Sequence, residues 1–232
     1  MDKENPHIKG TLELFEESEK EKEKYEITFM NKKFIVHPHV FSPKYFKSPQ
    51  FSIENIPINK GEVILEIGCG VGIFPIIAIS KGASKVTATD ISPDAVENAK
   101  ENVTIYNLND KIQIIQSDVY ENIPKGSKFD LIFWNVPFMY VEGENVTLLE
   151  KSCFDDSYKS IKKFIVEAKN YLRPNGRLIL EFSKTLGNYD KIKEFFEEAD
   201  MDFKEIKKEV VDYGETLGDV EFELFEAKPR KL

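Results

Sequence analysis

The chain has 232 residues, of which 41% are hydrophobic and 31% are charged, and its formal net charge is −9. This size and balance predict a globular protein with one sizeable core. No apolar run approaches the roughly 20 residues that a membrane-spanning helix needs. The acidic balance disfavours a large nucleic-acid partner without excluding one, because such partners select a basic surface.

Cysteine and histidine usage points away from disulfides and metals. Cys69 and Cys153 lie far apart in the sequence and have no metal-type spacing. Together with a polar N-terminus that lacks the features of a secretory signal, they favour a cytoplasmic protein. His37 and His39 form a close pair, but no third ligand accompanies them, so the sequence predicts no metal site.

The first 50 residues are predicted to form a small extension of one helix and one hairpin, ahead of a larger domain at 51–232. Residues 11–24 are rich in charge and predict a short helix with a solvated face. Residues 25–36 alternate apolar and polar positions around Asn31-Lys32, which predicts a β-hairpin. An irregular linker and a short helix at 49–57 then lead into the larger domain.

In the larger domain, apolar strands alternate with helices. This alternation predicts an α/β fold with a doubly wound, mostly parallel, seven-stranded sheet. Its two last strands follow each other as a hairpin and predict an antiparallel edge. The predicted strands cover residues 63–67, 86–89, 112–115, 129–134, 177–182, 203–211 and 220–226. The predicted helices cover residues 73–80, a segment capped by Ser92-Pro93, residues 156–172 and a segment around 192–199, and residues 139–153 are predicted as a polar loop.

Three glycines follow the first strand of this domain at every second position, as Gly68, Gly70 and Gly72. Glycine permits a sharp turn and lets a ligand lie against the backbone. Asp90 ends the next strand, 22 residues beyond Gly68 (90 − 68). A carboxylate there can accept hydrogen bonds from both hydroxyls of a ribose, so the pattern predicts a nucleoside site.

Glu66 distinguishes between nucleoside cofactors. The dinucleotide pattern is G-x-G-x-x-G, whereas this chain has G-x-G-x-G with Glu66 two residues before the first glycine. The carboxylate would repel a pyrophosphate and attract an ammonium or sulfonium group. The loop therefore favours a cationic nucleoside and disfavours a nicotinamide-dependent oxidoreductase.

The stretch from Glu66 to Gly72 resembles the first motif of the class I S-adenosylmethionine (SAM)-dependent methyltransferases, acidic-x-G-x-G-x-G, at every fixed position. The resemblance implies a Rossmann-like fold and SAM as cofactor. It further implies that Asp118 binds the adenine amino group, with Val119 beside the ring. The segment 40–43 corresponds either to a lid over the cofactor or to a connecting loop. The residues implied in cofactor binding are Glu66, Gly68, Cys69, Gly70, Gly72, Asp90, Ile91, Asp118, Val119 and Asn135.

The fourth strand ends in Asn135-Val136-Pro137-Phe138. This tetrapeptide resembles the Asn-Pro-Pro-aromatic motif of the release-factor glutamine and N6-adenine methyltransferases, with Val136 in place of the first proline. A planar amino nitrogen delocalises its lone pair, so acceptors such as the Asn135 side-chain oxygen are needed to orient its hydrogens. The resemblance implies catalytic roles for Asn135, Pro137 and Phe138, with Phe138 stacking on the acceptor.

The sequence thus predicts a SAM-dependent N-methyltransferase that acts on a planar amide or amino nitrogen, in a protein (glutamine-like) or in a small molecule. Two alternatives stay open. One is a nucleobase N-methyltransferase acting on RNA or DNA, which the net charge disfavours. The other is a non-catalytic SAM-binding or partner-binding module, which Asn135 and Phe138 disfavour. No membrane partner is expected.

Overall fold

The computed structural model describes residues 4–230. The elements are, in chain order, α1 (Pro6–Ser18), β1 (Tyr25–Phe29), β2 (Lys32–Val36), α2 (Ser48–Asn55), β3 (Val63–Ile67), α3 (Ile73–Ser80), β4 (Lys85–Asp90), α4 (Pro93–Ile105), β5 (Ile112–Gln116), β6 (Phe129–Asn135), β7 (Met139–Val141), β8 (Phe154–Asp156), α5 (Lys159–Glu167), β9 (Leu172–Phe182), α6 (Tyr189–Glu198), β10 (Met201–Asp212) and β11 (Asp219–Pro229). Short 3₁₀ turns occur at Glu150–Ser152 and Ala168–Asn170.

A seven-stranded sheet in the order β10-β11-β9-β6-β3-β4-β5 forms the centre of the molecule. Strands β3, β4, β5, β6 and β9 pair in parallel, and β11 runs antiparallel to both of its neighbours. The predicted α/β class and the antiparallel closing hairpin are therefore confirmed. The chain reverses its direction of winding at β3, so the carboxyl ends of β3, β4 and β6 surround the crevice where ligands of such sheets bind.

Helices cover both faces of the sheet. Consecutive residues of a strand point to opposite faces, and Phe133 and Trp134 of β6 make this visible. The Phe133 ring packs on Phe74 of α3, with 4.7 Å between the ring centroids. Trp134 meets Phe164 of α5 edge to face at 5.2 Å. Helices α3 and α5 therefore lie on opposite faces, as a doubly wound sheet requires.

Helix α1 begins earlier in the chain than the charge pattern predicted. It starts at Pro6 because the Asn5 side chain accepts hydrogen bonds from the backbone N–H groups of His7 and Ile8, and proline suits the first helical position. It ends at Ser18, so the predicted range of 11–24 was displaced toward the C-terminus. Phe15 on its buried face packs in a small cluster with Phe46, Met139, Val141, Leu149 and Phe154.

The extension and the larger domain are joined through this cluster. It links α1 and the segment before α2 to β7 and β8. The hairpin β1–β2 forms as predicted, with Met30 and Asn31 at its turn. The sequence-based boundary at residue 50 falls inside α2, and the division into two domains stays a prediction.

Residues 139–158 differ most from the sequence prediction. In place of a polar loop, β7 and β8 form a parallel pair. Helix α5 starts only at Lys159, since Ser157 and Tyr158 have left-handed backbone φ angles of 55° and 52°. The Asp155 carboxylate accepts a hydrogen bond from the Ile161 N–H at 2.9 Å and so satisfies the first turn of α5. Among residues 4–230, every helix is too short or too polar to reach across a bilayer.

Gly72 fixes the approach of α4 to the start of α3. Its φ angle is +82°, and a Cβ atom built there would lie 2.9 Å from the Ala99 Cα. Gly126 has a nearly equal φ angle of +86° with nothing within 4 Å of its Cβ position. These two glycines therefore share a backbone conformation and differ in crowding.

We expect Gly126→Ala to lower the free energy of unfolding by about 1 kcal/mol, because alanine is strained at positive φ. Gly72→Ala should lower it by about 1–3 kcal/mol more, since the added methyl group must push α4 away. Urea denaturation of both variants measures the difference. Equal losses of unfolding free energy would show that the close approach of α4 to Gly72 does not affect stability.

Candidate cofactor and acceptor site

A cavity of about 520 Å³ lies at the carboxyl ends of the central strands. One part of its wall consists of the glycine loop and the end of β4. Another part consists of the end of β6, residues 135–138. Segments outside the sheet complete the wall, namely residues 41–53, residues 144–160 and the turn that follows β10.

Most residues that the sequence singled out line this cavity. They are Glu66, Gly68, Cys69, Gly70, Asp90, Ile91, Asp118, Val119, Asn135, Pro137 and Phe138. Gly72 does not line the cavity, because the position that its Cβ atom would take faces Ala99 of α4. The space beside Gly68 is filled by the Trp134 indole, whose Nε1 lies 2.6 Å from the position that a Cβ atom would take, whereas Gly70 has only the Phe41 carbonyl oxygen at 3.8 Å. Gly70 is thus the glycine that leaves its Cβ position open.

Glu66 contributes a buried carboxyl group to the cavity wall. Its side chain is 4% exposed, and its Oε2 has no hydrogen-bond partner among residues 4–230. Burial raises the pKa of Glu66 well above its usual range, and the nearby Asp90 carboxylate raises it further. A buried carboxylate is costly unless a cation or donor pairs with it. The site therefore fits a ligand that carries a positive group and does not fit a phosphate.

Asp90 connects the glycine loop to the end of β4. Its Oδ2 accepts a hydrogen bond from the Gly70 N–H and its Oδ1 accepts one from the Ser92 N–H, both at 2.9 Å. Burial raises the pKa of Asp90, and these backbone N–H groups oppose the rise. Each carboxylate oxygen retains a further lone pair. The group can therefore hold the loop and accept ligand hydroxyls at the same time.

The end of β5 turns sharply into the cavity. Val119 is buried and has a φ angle of +51°, which is strained for a β-branched residue. The Ser117 hydroxyl donates to the Val119 carbonyl at 3.1 Å and supports the turn. Asp118 is partly exposed, and its Oδ1 lies 3.8 Å from the Lys163 Nζ. Asp118 and Val119 both line the cavity at this turn.

Asn135 is oriented by a residue that sequence analysis did not single out. Its Nδ2 donates to the Ser48 Oγ at 3.1 Å, and Ser48 is buried at the first position of α2. This bond uses one of the two Nδ2 hydrogens and fixes the amide plane, and the Asn135 Oδ1 can still accept a hydrogen bond. The sequence predicted a short helix at 49–57, but nothing in the sequence linked the start of this helix to β6.

Phe138 is held by packing and by its backbone. Its ring is 8% exposed, 6.1 Å from Phe182 and 5.7 Å from Phe222 between centroids. Its carbonyl oxygen accepts a hydrogen bond from the Tyr158 hydroxyl, which in turn accepts one from the Asn188 N–H. Little of the ring is free for the predicted stacking on an acceptor, and its role there stays a prediction.

The segment before α2 covers the glycine loop. Phe41 and Pro43 line the cavity, and the Phe41 ring stacks on Phe46 at 4.3 Å. Tyr213 and Leu217, from the turn between β10 and β11, also line it. Within residues 4–230, no cluster of histidine, cysteine or acidic side chains is suited to a metal ion.

The comparisons with known proteins agree with one another, because the matches named below are all methyltransferases. The family model described as methyltransferase small domain matches residues 31–212. A Methanocaldococcus jannaschii protein named as a putative protein N5-glutamine methyltransferase is 35% identical over 158 residues, which cover 66% of this chain and 77% of that one. The release factor glutamine methyltransferase of Aquifex aeolicus is 30% identical over 147 residues, 59% of this chain and 51% of that one. The chain spans only 24% to 35% of the length of the bifunctional methyltransferases of Rickettsia that it also matches.

Solved structures confirm the fold. The T. thermophilus 16S rRNA N2 G1207 methyltransferase, in complex with AdoMet and guanosine, superposes with a TM-score of 0.59 at 21% identity, covering 89% of this chain and 50% of that one. At this identity the likeness supports the architecture alone. The family match and the archaeal relative establish more: the chain belongs to the methyltransferase small domain family, and it is an enzyme that uses SAM.

Proposed function

We propose that this chain methylates the side-chain amide nitrogen of a glutamine in a protein. The observation that carries the proposal is the orientation of Asn135, whose Nδ2 is bound by Ser48 while its Oδ1 is left for the acceptor. The relatives from M. jannaschii and A. aeolicus, which are named as glutamine methyltransferases, support the same substrate class. The cavity is continuous from Glu66 to Asn135, which argues against a non-catalytic module.

Four cavity residues are assigned to the cofactor in this proposal. When bound, SAM supplies a methyl group activated by its sulfonium. Glu66 pairs with a positive group, Asp90 accepts the ribose hydroxyls, and Asp118 and Val119 bind the adenine. The buried state of Glu66 supports its assignment, because a cation is the partner that its carboxylate lacks among residues 4–230.

Asn135 then orients the acceptor. The amide nitrogen is planar and weakly nucleophilic, so hydrogen bonds from its two hydrogens to fixed oxygens align it with the methyl group. Transfer forms a nitrogen–carbon bond, breaks a sulfur–carbon bond and releases one proton from the nitrogen. Exclusion of water by Phe41, Pro43 and Phe138 protects the activated methyl group from hydrolysis.

Asn135→Ala should lower the transfer rate by about 100-fold or more, since loss of alignment alone has such an effect. Binding of S-adenosylhomocysteine (SAH) should stay near wild type. The assay uses labelled SAM in a cell extract separated into protein, nucleic-acid and small-molecule fractions, followed by a search for N5-methylglutamine in the labelled protein.

The exposed Asn109 provides a matched control, and Asn109→Ala should transfer at the wild-type rate. Label in the nucleic-acid fraction would replace the proposal by nucleobase methylation. Equal losses of transfer and of SAH binding in Asn135→Ala would make Asn135 a cofactor residue only.

Asp90→Ala should weaken SAH binding by about 1–3 kcal/mol, because hydrogen bonds to a charged group are lost. Calorimetric titration measures the effect, with Asp110→Ala as an exposed control. SAH should also bind the wild type more tightly than NAD does. Unchanged affinity in Asp90→Ala would remove Asp90 from the cofactor site.

The affinity for SAH should rise with pH above the range in which an exposed glutamate titrates. The raised pKa of Glu66 means that the free protein keeps a proton on this carboxyl to higher pH than an exposed glutamate does. The ammonium group of SAH binds the ionised form, so binding releases a proton and strengthens as pH increases. Glu66→Gln should show a smaller pH dependence, and calorimetry in two buffers of different ionisation enthalpy measures the proton release.

A further inference from the structure

Tyr213 occupies a fixed position on the acceptor side of the cavity. It lies in the turn between β10 and β11 and lines the cavity. Its hydroxyl oxygen accepts a hydrogen bond from the Lys47 backbone N–H at 2.7 Å. The Lys47 Nζ donates to the Asp212 carbonyl at 2.6 Å and lies 5.0 Å from the centre of the Tyr213 ring. The turn is therefore tied to the residue that precedes α2.

The hydroxyl proton of Tyr213 is available for donation to a ligand. A phenol has one donor and two acceptor positions, and the N–H groups of Lys47 and Ser48 both approach its oxygen. Among residues 4–230, this hydroxyl donates no hydrogen bond. The acidic groups whose charges act on the hydroxyl are Cys153 and Glu181. Burial raises the pKa of Tyr213, so the hydroxyl stays protonated at neutral pH.

Tyr213 and Asn135 both line the cavity, and each is hydrogen-bonded to one of two adjacent residues. The backbone N–H of Lys47 binds Tyr213, and the hydroxyl of Ser48 binds Asn135. One group offers a donor and the other offers an acceptor. The side chains of Ser48, Asn135 and Tyr213 all line the cavity, and Ser48 is buried whereas Tyr213 is half-buried. A carboxamide presents the complementary pair, a carbonyl oxygen and an NH₂ group on one carbon.

We propose that the Tyr213 hydroxyl donates a hydrogen bond to the carbonyl oxygen of the acceptor amide, and so selects carboxamides over amines. This inference rests on the proposed function and concerns the same site. An amine acceptor has no carbonyl, so it would leave the Tyr213 donor unpaired in a dry pocket. Sites built to bind a polar group discriminate strongly against ligands that lack it.

The test measures binding to the SAH-loaded protein, using Nα-acetylglutamine N-methylamide and its ornithine counterpart, which has an amine and no carbonyl. The wild type should prefer the glutamine probe. Tyr213→Phe should weaken that probe by roughly threefold to tenfold, the effect of one hydrogen bond, and leave the ornithine probe unchanged. Tyr106→Phe is the matched control, since its hydroxyl donates to the Lys33 carbonyl on the exposed hairpin side.

Two results would overturn the inference. One is an equal affinity of wild type and Tyr213→Phe for the glutamine probe. The other is a parallel loss of SAH binding in Tyr213→Phe, which would assign Tyr213 to the cofactor. Neither result bears on the protein-methylation assay with Asn135→Ala. Conversely, a probe effect without label in any protein would reject the protein substrate and keep the role of Tyr213.

Discussion

Glu66 and Asp90 bring two carboxyl groups to the ends of neighbouring strands, where burial and mutual repulsion raise the pKa of Glu66. Within residues 4–230, neither side chain forms an ion pair with a basic residue. A ligand that brings a positive charge lowers the electrostatic cost of this arrangement, and a phosphate increases it. The cofactor preference thus follows from the charge of the wall more than from the number of glycines.

The part of the cavity around Asn135 depends on parts of the chain outside the central sheet. Ser48 orients Asn135, Phe41 and Pro43 cover the glycine loop, and Tyr213 also lines the cavity. The A. aeolicus relative is about twice as long as the region that matches this chain. In this chain, the short N-terminal extension and the last hairpin build the walls around Asn135.

The sheet and the meeting of the glycine loop with Asp90 at one cavity could be predicted from the sequence because their signals are local. One short stretch of chain, from Val63 to Asp90, contains a buried strand, three glycines and an aspartate at the end of the next strand. Their relative positions therefore follow from the local sequence. The roles of individual glycines could not be predicted, because the Trp134 indole and Ala99 that fill the space beside Gly68 and Gly72 come from other elements. Ser48 and Tyr213 were missed for the same reason, since they meet β6 and Lys47 only in the folded chain.

Residues 139–158 were mispredicted for a different reason. The strands β7 and β8 have three residues each, which is too few for an alternation of apolar and polar residues to be recognised in the sequence. The start of α5 depends on left-handed backbone at Ser157 and Tyr158, residue types that rarely adopt it. The buried hydroxyl of Tyr158, bound to Phe138 and Asn188, stabilises this conformation through contacts distant in sequence.

The bond between Lys47 and Tyr213 joins residues 166 positions apart. During synthesis, the glycine loop and Asp90 emerge from the ribosome long before Tyr213 does. Contacts of such separation form late, because a long loop of chain must first be closed. The part of the cavity wall that Tyr213 supplies therefore depends on a long-range contact, which is expected to form after the local contacts between the glycine loop and Asp90.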